Sequence, residues 1–297
     1  MDNQITMSYR DATGFIAHNM TNDYMFRYIL QRNEKVLRGL ISSLLHLDPK
    51  NIKKLTIRNP INLAEDITGK DFIMDIEVMM NDDSLINLEM QVTNKHNWAE
   101  RSLSYLCRTF DQLYESQDYS EAFPVHHIGF LDFTLFPKYP EFYATYQMLN
   151  IKNYHLYSSK FSLSVVNLTK TELSTDEDRS HGIDYWARLF KANTWEEIKM
   201  LAENNEYLES AANSLYEANA DRMVRERCRA RREAERYERT LERDNKLLRE
   251  KTIALEELNS NLEKRNSSLE ERNSSLEERN SSLEERIKQL EAELFKK

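Results

Sequence analysis

The chain has 297 residues, 31% charged and 40% hydrophobic, and a formal net charge of −9. That acidic balance argues against strong non-specific nucleic-acid binding, which relies on Lys and Arg displacing counterions. With only 5 Gly and 5 Pro, linkers and a loop-rich β-fold are disfavoured and long helices favoured.

No stretch approaches the roughly 20 apolar residues of a membrane span, so no membrane partner is expected. The opening MDNQITMSYRDATG lacks the basic and apolar regions of a signal peptide. Cys107 and Cys228 lie far apart without a Cys/His cluster. They suit reduced thiols in a cytoplasmic protein better than a disulfide framework or a zinc site.

In chain order, residues 22–47 read as one or two helices, with Tyr24, Phe26, Tyr28, Ile29, Val36, Leu37, Leu40, Ile41, Leu44 and Leu45 at helical spacing. Asp48-Pro49 ends the pattern, and residues 52–58 (IKKLTIR) read as a short strand. DFIMDIEVMM-NDDS-LINLEMQVT then reads as a β-hairpin. Phe72, Met74, Ile76, Val78 and Met80 share one face of its first strand. Ile86, Leu88, Met90 and Val92 share one face of the second. Even numbers are apolar on both strands, so the register pairs even with even, through a loop of odd length or one holding a bulge. Asp75, Glu77, Glu89 and Gln91 then converge on the other face. Acids so placed repel one another unless a cation sits among them, and hard divalent cations take oxygen ligands. The plainer alternative is the solvent-facing side of an ordinary hairpin.

Residues 97–116 predict an amphipathic helix with a stripe of Leu103, Leu106, Phe110 and Leu113, and with Arg101, Tyr105 and Arg108 on another face. Residues 125–135 and 161–168 read as strands, and 183–203 as two short helices. Residues 222–239 hold eight arginines against four glutamates. Such a stretch is either a solvated helix face laced with Glu–Arg pairs or a contact for the DNA backbone.

From residue 259 the chain repeats NSNLEKR and NSSLEER, with Leu255, Leu262, Leu269, Leu276, Leu283 and Leu290 seven residues apart. With these leucines at d, Asn259, Asn266, Asn273 and Asn280 fall at a. Glu263, Glu270, Glu277 and Glu284 fall at e, and Arg265, Arg272, Arg279 and Arg286 at g. A parallel pair sets each g arginine against the partner's following e glutamate, whereas antiparallel packing opposes like charges. The pattern predicts a parallel coiled-coil homodimer, with a trimer as the alternative, and the a-position asparagines fix register at a cost in stability. Upstream, Ala234, Leu241 and Leu248 continue the register, so the helix is expected to begin near 206–220, although Arg231 and Glu238 at a make a poor seam there.

The order helix, strand, acidic hairpin, helix, strand resembles the PD-(D/E)XK nuclease superfamily and, within it, the recombination-promoting nuclease/transposase family of bacteria. The resemblance spans roughly residues 20–220. It rests on TNDYMFRYIL with Asp23, FIMDIEV with Asp75, INLEMQ with Glu89 and Gln91, Arg101-x-x-x-Tyr105, IGFLDFTLF and the helix of Trp186. It implies an α/β, restriction-endonuclease-like core followed by a long C-terminal helix. The implied function is a metal-dependent DNA endonuclease. In that reading Asp75 and Glu89, assisted by the carbonyl of Met90, hold Mg²⁺ (Mn²⁺ as the alternative), which polarises the scissile phosphate and lowers the pKa of a bound water. Gln91 would orient the water, Arg101 would offset phosphate charge, and Asp23 is the acid of the opening helix. Gln91 departs from the superfamily's lysine, which keeps a second reading open: a weakly active or inactive nuclease fold that binds DNA or protein. The expected organisation is an N-terminal segment (1–20), a nuclease-like domain (21–205), an Arg-rich helical connector (206–240) and a coiled coil (241–297).

Overall fold

A computed structural model describes residues 8–59, 76–111 and 118–294, with side chains to residue 291. The chain divides into two compact units, Met1–Glu235 and Arg236–Lys297.

The first unit opens with α1 (Asp23–Arg32) and α2 (Glu34–Leu44). Asn22 caps α1 through the Met25 N–H, and Asn33 both ends α1 and caps α2 through the Val36 N–H, satisfying donors that a helix start leaves open. A six-stranded mixed sheet follows in the order β1-β2-β3-β4-β6-β5. Its strands are β1 (Leu55–Ile57), β2 (Ile76–Met80), β3 (Ser84–Gln91), β4 (Val125–Leu131), β5 (Tyr143–Tyr146) and β6 (Phe161–Asn167). Antiparallel β1, β2 and β3 lead into parallel β3, β4 and β6, with β5 antiparallel at the far edge. The remaining helices are α3 (Trp98–Phe110), α4 (Asp176–Ser180), α5 (Ile183–Lys191), α6 (Trp195–Ala202), α7 (Glu206–Ala220) and α8 (Arg222–Leu294).

The hairpin register is even with even: Ile76↔Leu88, Val78↔Ile86 and Met80↔Ser84. The connection is the odd-length Asn81-Asp82-Asp83, where Asn81 and Asp82 take positive φ of 54° and 59°, a conformation that Asn and Asp tolerate better than most residues. Ile76, Val78, Met80, Ile86, Leu88 and Met90 enter one large core with residues of α1, α2, α5 and α7. Leu85, Val125, Leu131, Leu163 and Val165 pack under Trp98 and Leu106 of α3 on the other face.

Two helix expectations are corrected. The helix expected to run on from 206–220 is broken at Asp221, whose extended backbone ends α7. Its side chain then accepts the Met223 and Val224 N–H groups and starts α8. In α3 the buried positions are Trp98, Ser102, Leu106 and Thr109, whereas Leu103 is 51% and Phe110 36% exposed. The cause is Gly129 on β4: a Cβ there would lie 2.1 Å from Trp98 Cζ2, so the missing side chain admits the indole and turns the helix about it. Leu103 instead borders an apolar groove with Leu135, Phe136, Tyr146, Met148 and Phe161. Leu113 lies outside the described residues.

Among the described residues, no helix is long and apolar enough to cross a membrane. Along α8, Leu255, Leu262, Leu269, Leu276, Leu283 and Leu290 are each 47–60% exposed, so among the described residues nothing covers this row of leucines.

Candidate active site

β3 lies between β2 and β4, and its odd-numbered side chains face α3. Asn87 and Glu89 are 2% and 3% exposed, so this face is not the solvent side of a hairpin: α3 roofs it.

Two arginines answer the charge on that face. Arg101 Nη2 of α3 lies 2.7 Å from Glu89 Oε1, and Arg58 Nε lies 3.6 Å from Glu77 Oε1. Repulsion among the acids therefore does not by itself require a metal. A desolvated carboxylate is costly unless it is paired, and Arg101 is placed to pair it. Its guanidinium also lies 5.2 Å from the Tyr105 ring centroid, with Arg108 6.0 Å from the same ring.

The parallel β3–β4 register adds residues that the sequence reading missed. It pairs Asn87 with His127 and Glu89 with Gly129. His127 is fully buried; burial, and after it the Arg101 charge, push its pKa down to about 4. The ring is therefore neutral at pH 7. Asn87 Nδ2 lies 3.2 Å from His127 Nδ1; with this amide donating, the ring proton sits on Nε2, which faces Glu89 Oε2 at 3.8 Å. The His-His pair at 126–127 was the only signal in the sequence. Which of the two points inward depends on the strand beside it.

The other expected residues are placed as follows. Gln91 Nε2 donates to the Thr93 carbonyl at 2.8 Å. The Met90 side chain is buried in the large core, so only its backbone is available to a ligand. Asp23 is buried at the start of α1 and pairs with Arg231 Nε of α8 at 2.6 Å. The structure thus brings Glu89, Gln91 and Arg101 to one end of β3 and α3, and joins Asp23 to α8. Asp75 lies outside the described residues.

The arginine stretch is largely occupied with its own unit. Arg222–Glu226 and Arg229–Glu233 form i,i+4 pairs. Arg225 caps the Asn219 and Ala220 carbonyls of α7, and Arg232 reaches the Ala17 carbonyl and His18. Val224 and Cys228 enter the core, and burial pushes the Cys228 thiol up to about 12, leaving it a poor nucleophile.

For a metal, the donor chemistry at Glu89 fits a hard cation. The carboxylate, the Met90 carbonyl and the Asn87 amide offer oxygen. Asn87 Oδ1 is buried without a hydrogen-bond partner among the described residues. Glu77 shares this face on the neighbouring strand, directly opposite Asn87, and its carboxylate is turned to Arg58.

A family model described as PD-(D/E)XK nuclease family transposase matches residues 20–245. No curated protein and no solved structure matches the chain.

Proposed function

The chain belongs to the PD-(D/E)XK nuclease family transposases, and from that premise we propose that it is a metal-dependent DNA endonuclease centred on Glu89. The observation that carries this reading is a carboxylate only 3% exposed, held on an interior strand by Arg101 and flanked by neutral His127. Asp75 and Glu89 would hold Mg²⁺ with the Met90 carbonyl, Asp75 being assigned from the alternation of the sequence. When bound, Mg²⁺ supplies Lewis-acid polarisation of a phosphate and a lowered pKa for water.

The chain's own residues do the rest. Arg101 neutralises Glu89 before substrate arrives and, being one-third exposed at its side chain, can turn toward a phosphate. Gln91 offers its carbonyl oxygen to a water while its amide nitrogen stays on Thr93. His127 flanks the second oxygen of Glu89 at 3.8 Å without adding charge. Asp23 is a positioning residue that anchors the base of α8 through Arg231.

We further assign residues 241–297 to a parallel coiled-coil homodimer, supported by the uncovered heptad leucines. Two tethered sites suit cleavage of both strands of a duplex.

The test is nicking of supercoiled plasmid with Mg²⁺ or Mn²⁺ against EDTA, in wild type and Glu89→Gln. Cleavage that needs the metal and Glu89 supports the proposal. A wild type that binds DNA but never cuts leaves the non-catalytic reading that Gln91 keeps open.

A further inference from the structure

Away from Glu89, the ends of α2 and α4 bring His46, Glu177 and His181 together, with one ligand atom from each lying within 4.8 Å of the others. We propose that these three residues form a second metal site, selective for a borderline transition ion such as Zn²⁺ over Mg²⁺. Two imidazoles and one carboxylate are a recurrent three-ligand zinc set that leaves a fourth position for water. Mg²⁺ prefers oxygen donors and octahedral geometry, so the nitrogen content of the site sets its selectivity.

The local backbone explains the juxtaposition. α2 ends in a paired motif in which the Leu47 N–H reaches the Ser42 carbonyl at 2.9 Å and the His46 N–H reaches that of Ser43 at 3.4 Å. The residue at the turn of this motif is usually glycine, because it adopts the left-handed conformation; here it is His46, with φ 54°. A side chain with a steric cost at that position invites a functional explanation. The turn lays the His46 ring flat on His181, with centroids 4.0 Å apart and planes 3° from parallel.

Glu177 and His181 stand at i and i+4 around α4, the spacing at which two side chains of one helix face reach a single ion. Thr175 and Asp178 form a capping box that fixes that short helix. His46 Nδ1 is already 3.5 Å from Glu177 Oε1. Bonds of roughly 2.0–2.2 Å bring tetrahedral ligands to about 3.4 Å from one another, so the ligand atoms must approach by about an ångström, and the His46 and His181 rings must tilt out of their parallel stack for their in-plane nitrogen lone pairs to meet at one ion. The ion would clamp the end of α2 to α4, and the open fourth position leaves the site exchangeable.

The experiment uses the full chain, stripped with chelator and titrated with Zn²⁺ in excess Mg²⁺, with Co²⁺ as the spectroscopic probe. The expected result is one Zn²⁺ equivalent, a higher Tm on binding, and visible Co²⁺ bands of a low-coordinate nitrogen-containing site. His46→Asn, His181→Asn and Glu177→Gln should each weaken binding by more than the roughly 10–100-fold that loss of an outer-shell partner costs. His46→Gly separates ligation from folding. It relieves the left-handed strain, so the metal-free Tm should hold or rise while the Zn²⁺-induced rise disappears. Glu89→Gln should leave Zn²⁺ binding unchanged, so failure of the nuclease reading and failure of this one are distinguishable. Wild type that shows no Zn²⁺ binding in Mg²⁺ overturns the proposal, as does unchanged binding in the His46 and His181 variants.

Discussion

Arg101 Nη2 and Glu89 Oε1 lie 2.7 Å apart, joining the first turn of α3 to the end of β3. The pair puts two demands on Glu89: in the proposed function it would hold the metal, and it carries the charge that balances Arg101. Removing an acid from this face therefore does not simply relieve repulsion. Glu89→Ala should lose roughly 1–3 kcal/mol, because a charge is left without its partner; the one-third exposure of Arg101 keeps the cost below that of a fully buried pair. Glu89→Gln should lose cleavage with a smaller stability change, and Glu89→Gln combined with Arg101→Met should recover part of the Arg101→Met loss. Denaturant unfolding of the four proteins measures the coupling. Additive losses would mean that the pair contributes nothing as a pair.

Gln91, which the proposed function sets in the place of the superfamily's lysine, has its amide nitrogen already donating to the Thr93 carbonyl. A lysine ammonium can keep that donor or move beside a phosphate, where a cation stabilises developing negative charge. Gln91→Lys should therefore preserve or raise the nicking rate. An inactive Gln91→Lys beside an active wild type would assign the amide a specific role.

Gly129 is expected to be intolerant of even one methyl group. The added carbon would meet the Trp98 ring at 2.1 Å, and relief requires α3 to lift, carrying Arg101 away from Glu89. Gly129→Ala should cost about 1–3 kcal/mol as overpacking and lower the cleavage rate at saturating metal. Gly129→Ala with Trp98→Leu should regain stability. Unchanged stability in the single variant would show that α3 is not seated by this contact.

The hairpin register was legible because alternation at period two runs through both strands, and a one-residue slip would have turned one strand's apolar row away from the large core. The partners of Glu89 were less legible. His127 and Gly129 belong to the site only because β4 runs parallel to β3 with Asn87 opposite His127, and no local pattern announces a parallel neighbour. The stripe of α3 was misjudged for a related reason: Trp98 is buried by a vacancy on another strand, while Leu103 and Phe110 are apolar but face outward. The Asp23–Arg231 pair spans 208 residues, and strand β5 (YATY) is too short and too exposed to mark itself.

His127 gives a pH signature. The unfolded imidazole titrates near 6.5 and the folded one near 4, so between these values the unfolded chain binds more protons. Stability is therefore undiminished above about 6.5, falls as pH drops through that window, and loses no more on this account below about 4. The 2.5-unit difference corresponds to at most about 3 kcal/mol. His127→Gln should be less stable than wild type at neutral pH yet lose less on acidification. His18, His46 and His126 are also held low, with burial as the first cause, but they are common to both proteins and drop out of the difference. Parallel stability–pH curves would remove His127 as the cause.

The tail is tested by its charge pattern. The leucines at d are 47–60% exposed along α8, and a second copy in parallel register would bury them. Asn259, Asn266, Asn273 and Asn280 limit the stability of that seam, so the flanking charges matter more than in a well-packed zipper. In a parallel dimer Arg272 faces the partner's Glu277, and Arg279 the partner's Glu284. R272E/R279E thus inverts four contacts per dimer, and at roughly 0.2–1 kcal/mol each should raise the dimer Kd by on the order of tenfold or more in low salt. E277R/E284R should weaken its own dimer likewise, and an equimolar mixture of the two variants should form heterodimers, since every inverted contact is then complementary. Sedimentation equilibrium of each chain and of the mixture measures this. In an antiparallel arrangement g faces g and e faces e, so where the reversed positions meet, like charges face one another before and after reversal, and neither homodimer should weaken relative to wild type. Function follows from the same geometry. A chain ending at residue 240 retains α1 to α7 and the docked start of α8, so it should still nick one strand, while double-strand cutting, which needs two tethered sites, should fall first. Equal loss of both activities on deletion would mean that the tail serves the catalytic unit in some way other than pairing it.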